Sequence, residues 1–154
     1  MKIRKYKSGE EKEIWELYRN TVLKVVSKDY DLESVKQWAP QNKDMNEWRS
    51  RLEIKQPYVA EVDGVLVGFA ELEADGHIDC FYCHHLWIGK GVGKALFHRI
   101  EQEAKKQSIQ NLYLEASITA KEFFLKNGFE IIKEENKNIR GAIAKRYIMT
   151  KNLS

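Results

Sequence analysis

The sequence predicts a mixed α/β domain of the α+β type, in which N-terminal helices and later helices flank one central sheet. Three observations predict it. Apolar residues recur at helical spacing through the first third of the chain. From Tyr58 the pattern changes to β-rich runs broken by Asp-Gly turns, and a glycine cluster then opens a helix at Val92.

Ser8 and Glu11 fit a capping box, behind which Ile14, Leu17, Tyr18, Thr21, Val22 and Val25 form one helical face. Asp31 is placed to cap a short second helix carrying Leu32, Val35 and Trp38, which Pro40 ends. Met45, Trp48 and Leu52 share a face of a third. Residues Tyr58 to Val62, Val65 to Leu72 and His77 to Cys83 read as an antiparallel meander, turned at Asp63-Gly64 and Asp75-Gly76. Val92, Leu96, Ile100 and Ala104 mark the buried stripe of a helix reaching about Gln107. A strand at Leu112 to Glu115 follows. A helix capped by Thr119 and Glu122 ends at Asn127-Gly128, and strands at Phe129 to Ile132 and Ala142 to Thr150 finish the order.

With 154 residues the chain is expected to form a single domain, residues 1–154, large enough to need neither disulfide nor structural metal. Hydrophobic residues make up 43% and charged residues 32%, which excludes disordered and low-complexity classes. No apolar run suits a membrane span, and the basic start lacks an apolar leader segment, so a cytoplasmic protein is expected. Twenty-six basic residues are scattered among 23 acidic ones, so no nucleic-acid partner is expected. Cys80 and Cys83 are read as reduced thiols.

Gly89, Gly91 and Gly93, flanked by Lys90 and Lys94, lie between a strand and a helix. Small residues let backbone approach a ligand, and a helix start presents unpaired N–H groups and a positive dipole end. A plain turn would need only one glycine, so an anion is expected here. No Gly-x-x-x-x-Gly-Lys-Ser/Thr can be drawn. The spacing is Gly-x-Gly-x-Gly, and three antiparallel strands precede the loop, which disfavours a dinucleotide fold despite Glu115 after it.

The run Cys83-His84-His85-Leu86-Trp87-Ile88-Gly89-Lys90-Gly91-Val92-Gly93-Lys94-Ala95-Leu96 resembles the acetyl-CoA signature of the GCN5-related N-acetyltransferase (GNAT) superfamily, Gln/Arg-x-x-Gly-x-Gly/Ala. Glu115-Ala116-Ser117 through Phe123-Phe124-Leu125-Lys126-Asn127-Gly128-Phe129 is similar to its second motif. The resemblance implies the GNAT fold, acetyl-CoA as donor and an amine acceptor, either a small molecule or a peptide. It implies that N–H groups from Gly89 to Lys94, Val92 included, hold the pyrophosphate. The pantetheine arm would pair with Phe81, Tyr82 and Cys83, where an N–H near Cys83 meets the thioester oxygen. Ser117 stands where many members have a cofactor-contacting Asn. Two positions depart from the family pattern. Ile88 replaces the motif's first polar residue, and Phe124 stands where a Tyr often protonates the leaving thiolate. Tyr82, Tyr113, Tyr147 and solvent are the substitutes.

Strand alternation places His77, Asp79, Phe81 and Cys83 on one face, with Ile78, Cys80 and Tyr82 on the other. An attacking ammonium must lose a proton, and similarity to several GNAT enzymes makes Asp79 or His77 the candidate base. A solvated ion pair is the structural alternative. Cys80-Phe81-Tyr82-Cys83-His84 also matches a haem-attachment pattern, but opposed strand faces argue against a shared haem or metal, and no metal is expected. The resemblance implies that the first two helices wall the acceptor site, where Tyr30 or Trp38 would line an amine pocket. The expected activity is direct N-acetyl transfer to a primary amine, by a monomer or homodimer without membrane partners. A non-catalytic CoA-binding regulatory module is the alternative, supported by Phe124, and a non-enzymatic adaptor comes third.

Overall fold

The computed structural model describes residues 1–139 and 142–154. The order is β1 (Lys2–Lys5), α1 (Glu11–Lys24), a 3-10 turn (Val26–Lys28), α2 (Leu32–Trp38), α3 (Met45–Lys55), β2 (Tyr58–Val62), β3 (Val65–Leu72), β4 (Ile78–Cys83), α4 (Val92–Lys106), β5 (Asn111–Ser117), α5 (Ile118–Lys126), β6 (Glu130–Ile139) and β7 (Ala142–Asn152).

Several starts and turns follow the local chemistry. Asp31 accepts the Ser34 N–H and starts α2, while Asp44 accepts two N–H groups at the start of α3. Asp63 and Gly64 both take positive φ, as a two-residue hairpin turn between right-twisted strands requires. Two expected capping boxes do not form. Helix α1 starts without a side-chain cap, because Glu11 turns inward to bind Tyr6, Gly9 and Arg49. Helix α5 is capped by Ser117, which accepts the Ala120 N–H at 3.1 Å, so Thr119 and Glu122 are not its caps.

The expected single sheet is split. Strands β1-β2-β3-β4 form one antiparallel sheet and β5-β7-β6 another. They meet at one parallel bridge, His77 to Tyr113, where the Tyr113 N–H donates to the Gly76 carbonyl at 3.1 Å. The register of β3 on β4 shifts between Ala70 and Leu72, leaving Asp79 and Cys80 opposite Glu71. Such a bulge bends and overtwists its strand, and beyond the bridge β4 and β5 part.

Each face of the first sheet is covered. Val67, Ala70, Leu96, Ile100, Leu112 and Met149 are fully buried on the α4 side. Ile14, Trp15, Trp48, Leu52 and Phe69 are buried on the α1–α3 side. The bulge breaks the expected alternation, because Ile78 packs with the α4-side core while Asp79 joins Cys80 beside Arg51 of α3. Among the described residues, no helix is long and apolar enough to cross a membrane.

Candidate active site

A cavity of about 680 Å³ opens where the two sheets part. Asp79, Phe81, Tyr82 and Cys83 line it from β4, and Ser117 and Phe124 from the β5–α5 junction. Ile88, Gly89, Gly91, Val92, Gly93 and Lys94 line it from the loop and the start of α4. Two residues expected at the site do not line it. Lys90 lies with its ammonium 5.1 Å from the Trp87 ring, and His77 stands behind Glu115.

Gly89 (φ 79°) and Gly91 (φ 85°) hold the left-handed backbone that brings the loop into α4. A Cβ on either would meet no atom within 4 Å, so open space lies above this backbone. The first intrahelical bond of α4 is from Ala95 N–H to the Gly91 carbonyl, leaving the N–H groups of Val92, Gly93 and Lys94 without helical acceptors. With Lys94 beside them, these donors fit a phosphate-bearing group.

The edge of β4 supplies a second set of donors. His84 N–H bonds the Val67 carbonyl at 2.8 Å. Alternation along an antiparallel ladder then turns the N–H groups of Phe81 and Cys83 toward the gap facing β5. The Thr21 hydroxyl donates to the Cys83 carbonyl at 2.8 Å, satisfying the acceptor and leaving the donor on that edge.

The aromatic lining separates the candidate acids. Phe124 is 3% exposed and packs 5.3 Å from both Phe81 and Phe129, with no proton to give. Tyr113 donates to Asp75, Tyr147 lies under the Lys121 ammonium, and neither lines the cavity. Tyr82 does, but burial pushes its hydroxyl well above the ordinary tyrosine value. Tyr18, Tyr30 and Trp38 complete an aromatic wall from the N-terminal helices. The Tyr30 hydroxyl accepts the Ile118 N–H at 2.8 Å and donates to the Lys145 carbonyl at 2.7 Å.

The far end is acidic. Asp79 Oδ2 accepts from Arg51 at 2.9 Å and Lys55 at 3.0 Å, while Arg51 also grips the fully buried Glu71 with two bonds. Glu115, which sequence reasoning passed over as a site residue, lines the cavity, and both of its carboxylate oxygens lie 3.0 Å from His77 Nε2. His77 Nδ1 is bonded in turn to Glu73. Burial lowers the proton affinity of His77, but the two carboxylates outweigh it and raise its pKa above the usual 6.5. Burial pushes the Cys83 thiol up to about 11 and raises Cys80 well above its ordinary value.

The acetyltransferase (GNAT) domain model matches residues 26–150. The chain belongs to the GNAT acetyltransferase family. Membership makes it an N-acetyltransferase, with acetyl-CoA as acetyl donor and an amine as acceptor. It is 29% identical over 142 residues to the N-acetyltransferase YafP of Escherichia coli K12, covering 92% of this chain and 89% of that one. A GCN5-related N-acetyltransferase from Rhodopseudomonas palustris superposes with TM-score 0.92 at 28% identity, over 98% of this chain and 94% of that one. The PaiA N-acetyltransferase of Thermoplasma acidophilum, solved with coenzyme A, superposes with TM-score 0.76 at 21% identity, over 98% of both chains.

Proposed function

We propose that this GNAT enzyme transfers the acetyl group of acetyl-CoA directly to a primary amine inside one ternary complex. One observation carries the reading: the N-terminus of α4 and the outward N–H groups of β4 open onto the same cavity whose other end bears carboxylates and an aromatic wall. The thioester supplies an activated acyl carbon. The backbone N–H groups of Val92, Gly93 and Lys94 hold the pyrophosphate beneath Gly89 and Gly91, with Ile88 exposed at the rim and Lys90 outside the cavity. Phe81 and Cys83 pair with the extended arm, and the Cys83 N–H faces the charge that develops on the acyl oxygen. Ser117 contributes its position more than its hydroxyl oxygen, which caps α5. At the acceptor end Asp79 is paired with Arg51 and Lys55, and Glu115 is the further carboxylate on the wall that attracts a cationic amine.

A second reading, a CoA-binding module without turnover, draws on Phe124 as a residue with no proton to give. Calorimetric titration of acetyl-CoA into wild type, Gly91→Ala and Gly91→Glu tests the donor site. Micromolar binding is expected for wild type. A modest loss for Gly91→Ala would report the cost of positive φ, and a near-complete loss for Gly91→Glu would report a carboxylate among the phosphate donors. Wild type failing to bind would overturn the proposal. Binding without release of CoA across an amine panel would favour the module.

A further inference from the structure

The acceptor arrives as an ammonium, and Asp79 already shares one oxygen between two cations. The other carboxylate on the cavity wall, Glu115, has a different partner. His77 Nε2 lies 3.0 Å from both of its oxygens, and Glu73 holds His77 Nδ1 from the opposite side. Building on the transfer reading above, we infer that Glu115 takes the first proton from the acceptor ammonium and that His77, oriented by Glu73, is where that proton comes to rest.

In the working form His77 is neutral, with its proton on Nδ1 toward Glu73 and its Nε2 lone pair toward Glu115. An ammonium N–H bond breaks and a Glu115 O–H bond forms, leaving the electron pair on nitrogen. Glu115 then passes the proton to Nε2, giving an imidazolium between two carboxylates. The nitrogen pair attacks the acyl carbon, the nitrogen–carbon bond forms and the carbon–sulfur bond breaks. The second nitrogen proton reaches the departing sulfur through solvent, so no tyrosine is required at position 124. After product leaves, the imidazolium proton returns through Glu115 to water. Glu115 is thus the catalytic residue, and His77 and Glu73 act through it as positioning residues.

The groups facing His77 fit this role. Glu73 and Asp75 come from the β3–β4 turn, Asp79 from β4, and Glu115 and the tilted Tyr113 ring from β5. Lys55 of α3 is the nearby cation, and it is bound to Glu73 and Asp79. Carboxylates therefore surround the imidazole and favour its charged form, which makes it a sink for an amine proton.

The test has two arms. In the first, the apo protein labelled at histidine nitrogen is titrated by NMR. The His77 midpoint is expected above 6.5 in wild type and displaced downward in Glu115→Gln and in Glu73→Gln. The second measures acetyl-CoA binding by calorimetry. It also follows CoA thiol release from pH 6 to 9 with putrescine, tyramine, glycinamide and a lysine peptide. Wild-type kcat/KM should rise through the His77 midpoint. Glu115→Gln should bind acetyl-CoA as wild type does yet lose about 100-fold in kcat. Glu115→Asp should recover part of that loss, and His77→Gln should lose the pH-dependent rise. The inference is overturned if Glu115→Gln, folded by circular dichroism, stays within about threefold of wild type, far below a base's usual contribution. It is equally overturned if the pH profile ignores the NMR midpoint. If acetyl-CoA does not bind, or no amine is acetylated, the transfer reading falls first and this inference with it.

Discussion

Replacing Glu11 by Gln isolates one buried charge. The Glu11 carboxylate is 6% exposed, and one oxygen accepts the Tyr6 hydroxyl at 2.8 Å, the Gly9 N–H at 3.0 Å and Arg49 Nε at 3.2 Å. Its own carbonyl receives the Trp48 indole N–H at 2.9 Å, so this residue ties the start of α1 to α3. The Gly9 N–H, against the opposing cost of burial, together with Glu11's own N–H, Tyr6 and Arg49, lowers the carboxyl pKa from 4.5 to about 2. That difference corresponds to about 3 kcal/mol of folding stability. Because the folded pKa is depressed, the contribution is complete above the unfolded value and is lost as pH falls from about 5 toward 2. Gln keeps the shape and an acceptor oxygen but not the charge. Urea unfolding at pH 7 should therefore show Glu11→Gln destabilised by about 2–3 kcal/mol, with the gap shrinking below about 0.5 kcal/mol at pH 2. An equal destabilisation at both pH values would refute the electrostatic account and leave only altered packing.

Gly93→Ala should cost about 1–3 kcal/mol in urea unfolding, because its Cβ would stand 2.9 Å from the Phe123 ring and force α4 and α5 apart. A variant as stable as wild type would show that this contact yields freely. Tyr30→Phe removes the bonds to Ile118 and Lys145, and a loss of about 1–2 kcal/mol is expected, read as a lowered Tm. Unchanged Tm would mean that water replaces both bonds without cost.

The sequence was most legible where a few neighbouring residues decide the outcome. Asp31 and Pro40 delimit α2, and Asp63-Gly64 sets the first hairpin, because caps and turns depend on local geometry. It was least legible where a distant partner competes. Ser8 and Glu11 have capping-box spacing, but Arg49, 38 positions away, helps draw Glu11 into a buried network. Strand β1 carries one apolar residue among three basic ones, and only its pairing with β2 makes it a strand. The bulge at Asp79 and Cys80 reversed an alternation that the letters alone support. The glycine loop that lines the cavity was visible as glycine spacing, whereas Glu115 became a candidate only when folding placed it between His77 and the cavity. Thirty-eight positions separate that pair, and nothing in either local sequence announces it.

The junction of the two sheets is the closed end of the cleft. Gly76 stands there, at φ 99°, where an added Cβ would fall 2.2 Å from the Asn111 carbonyl oxygen. From there to Cys83 the strand extends about 23 Å, at roughly 3.3 Å per residue. A small change of angle at this junction would therefore be magnified at Cys83 and barely felt at His77 and Glu115. His77 and Glu115 lie near the closed end, and the end of β4 and the glycine loop lie at the open one. A substitution at Gly76, far from the glycine loop, would alter the width of the cleft before it touched any residue that lines it.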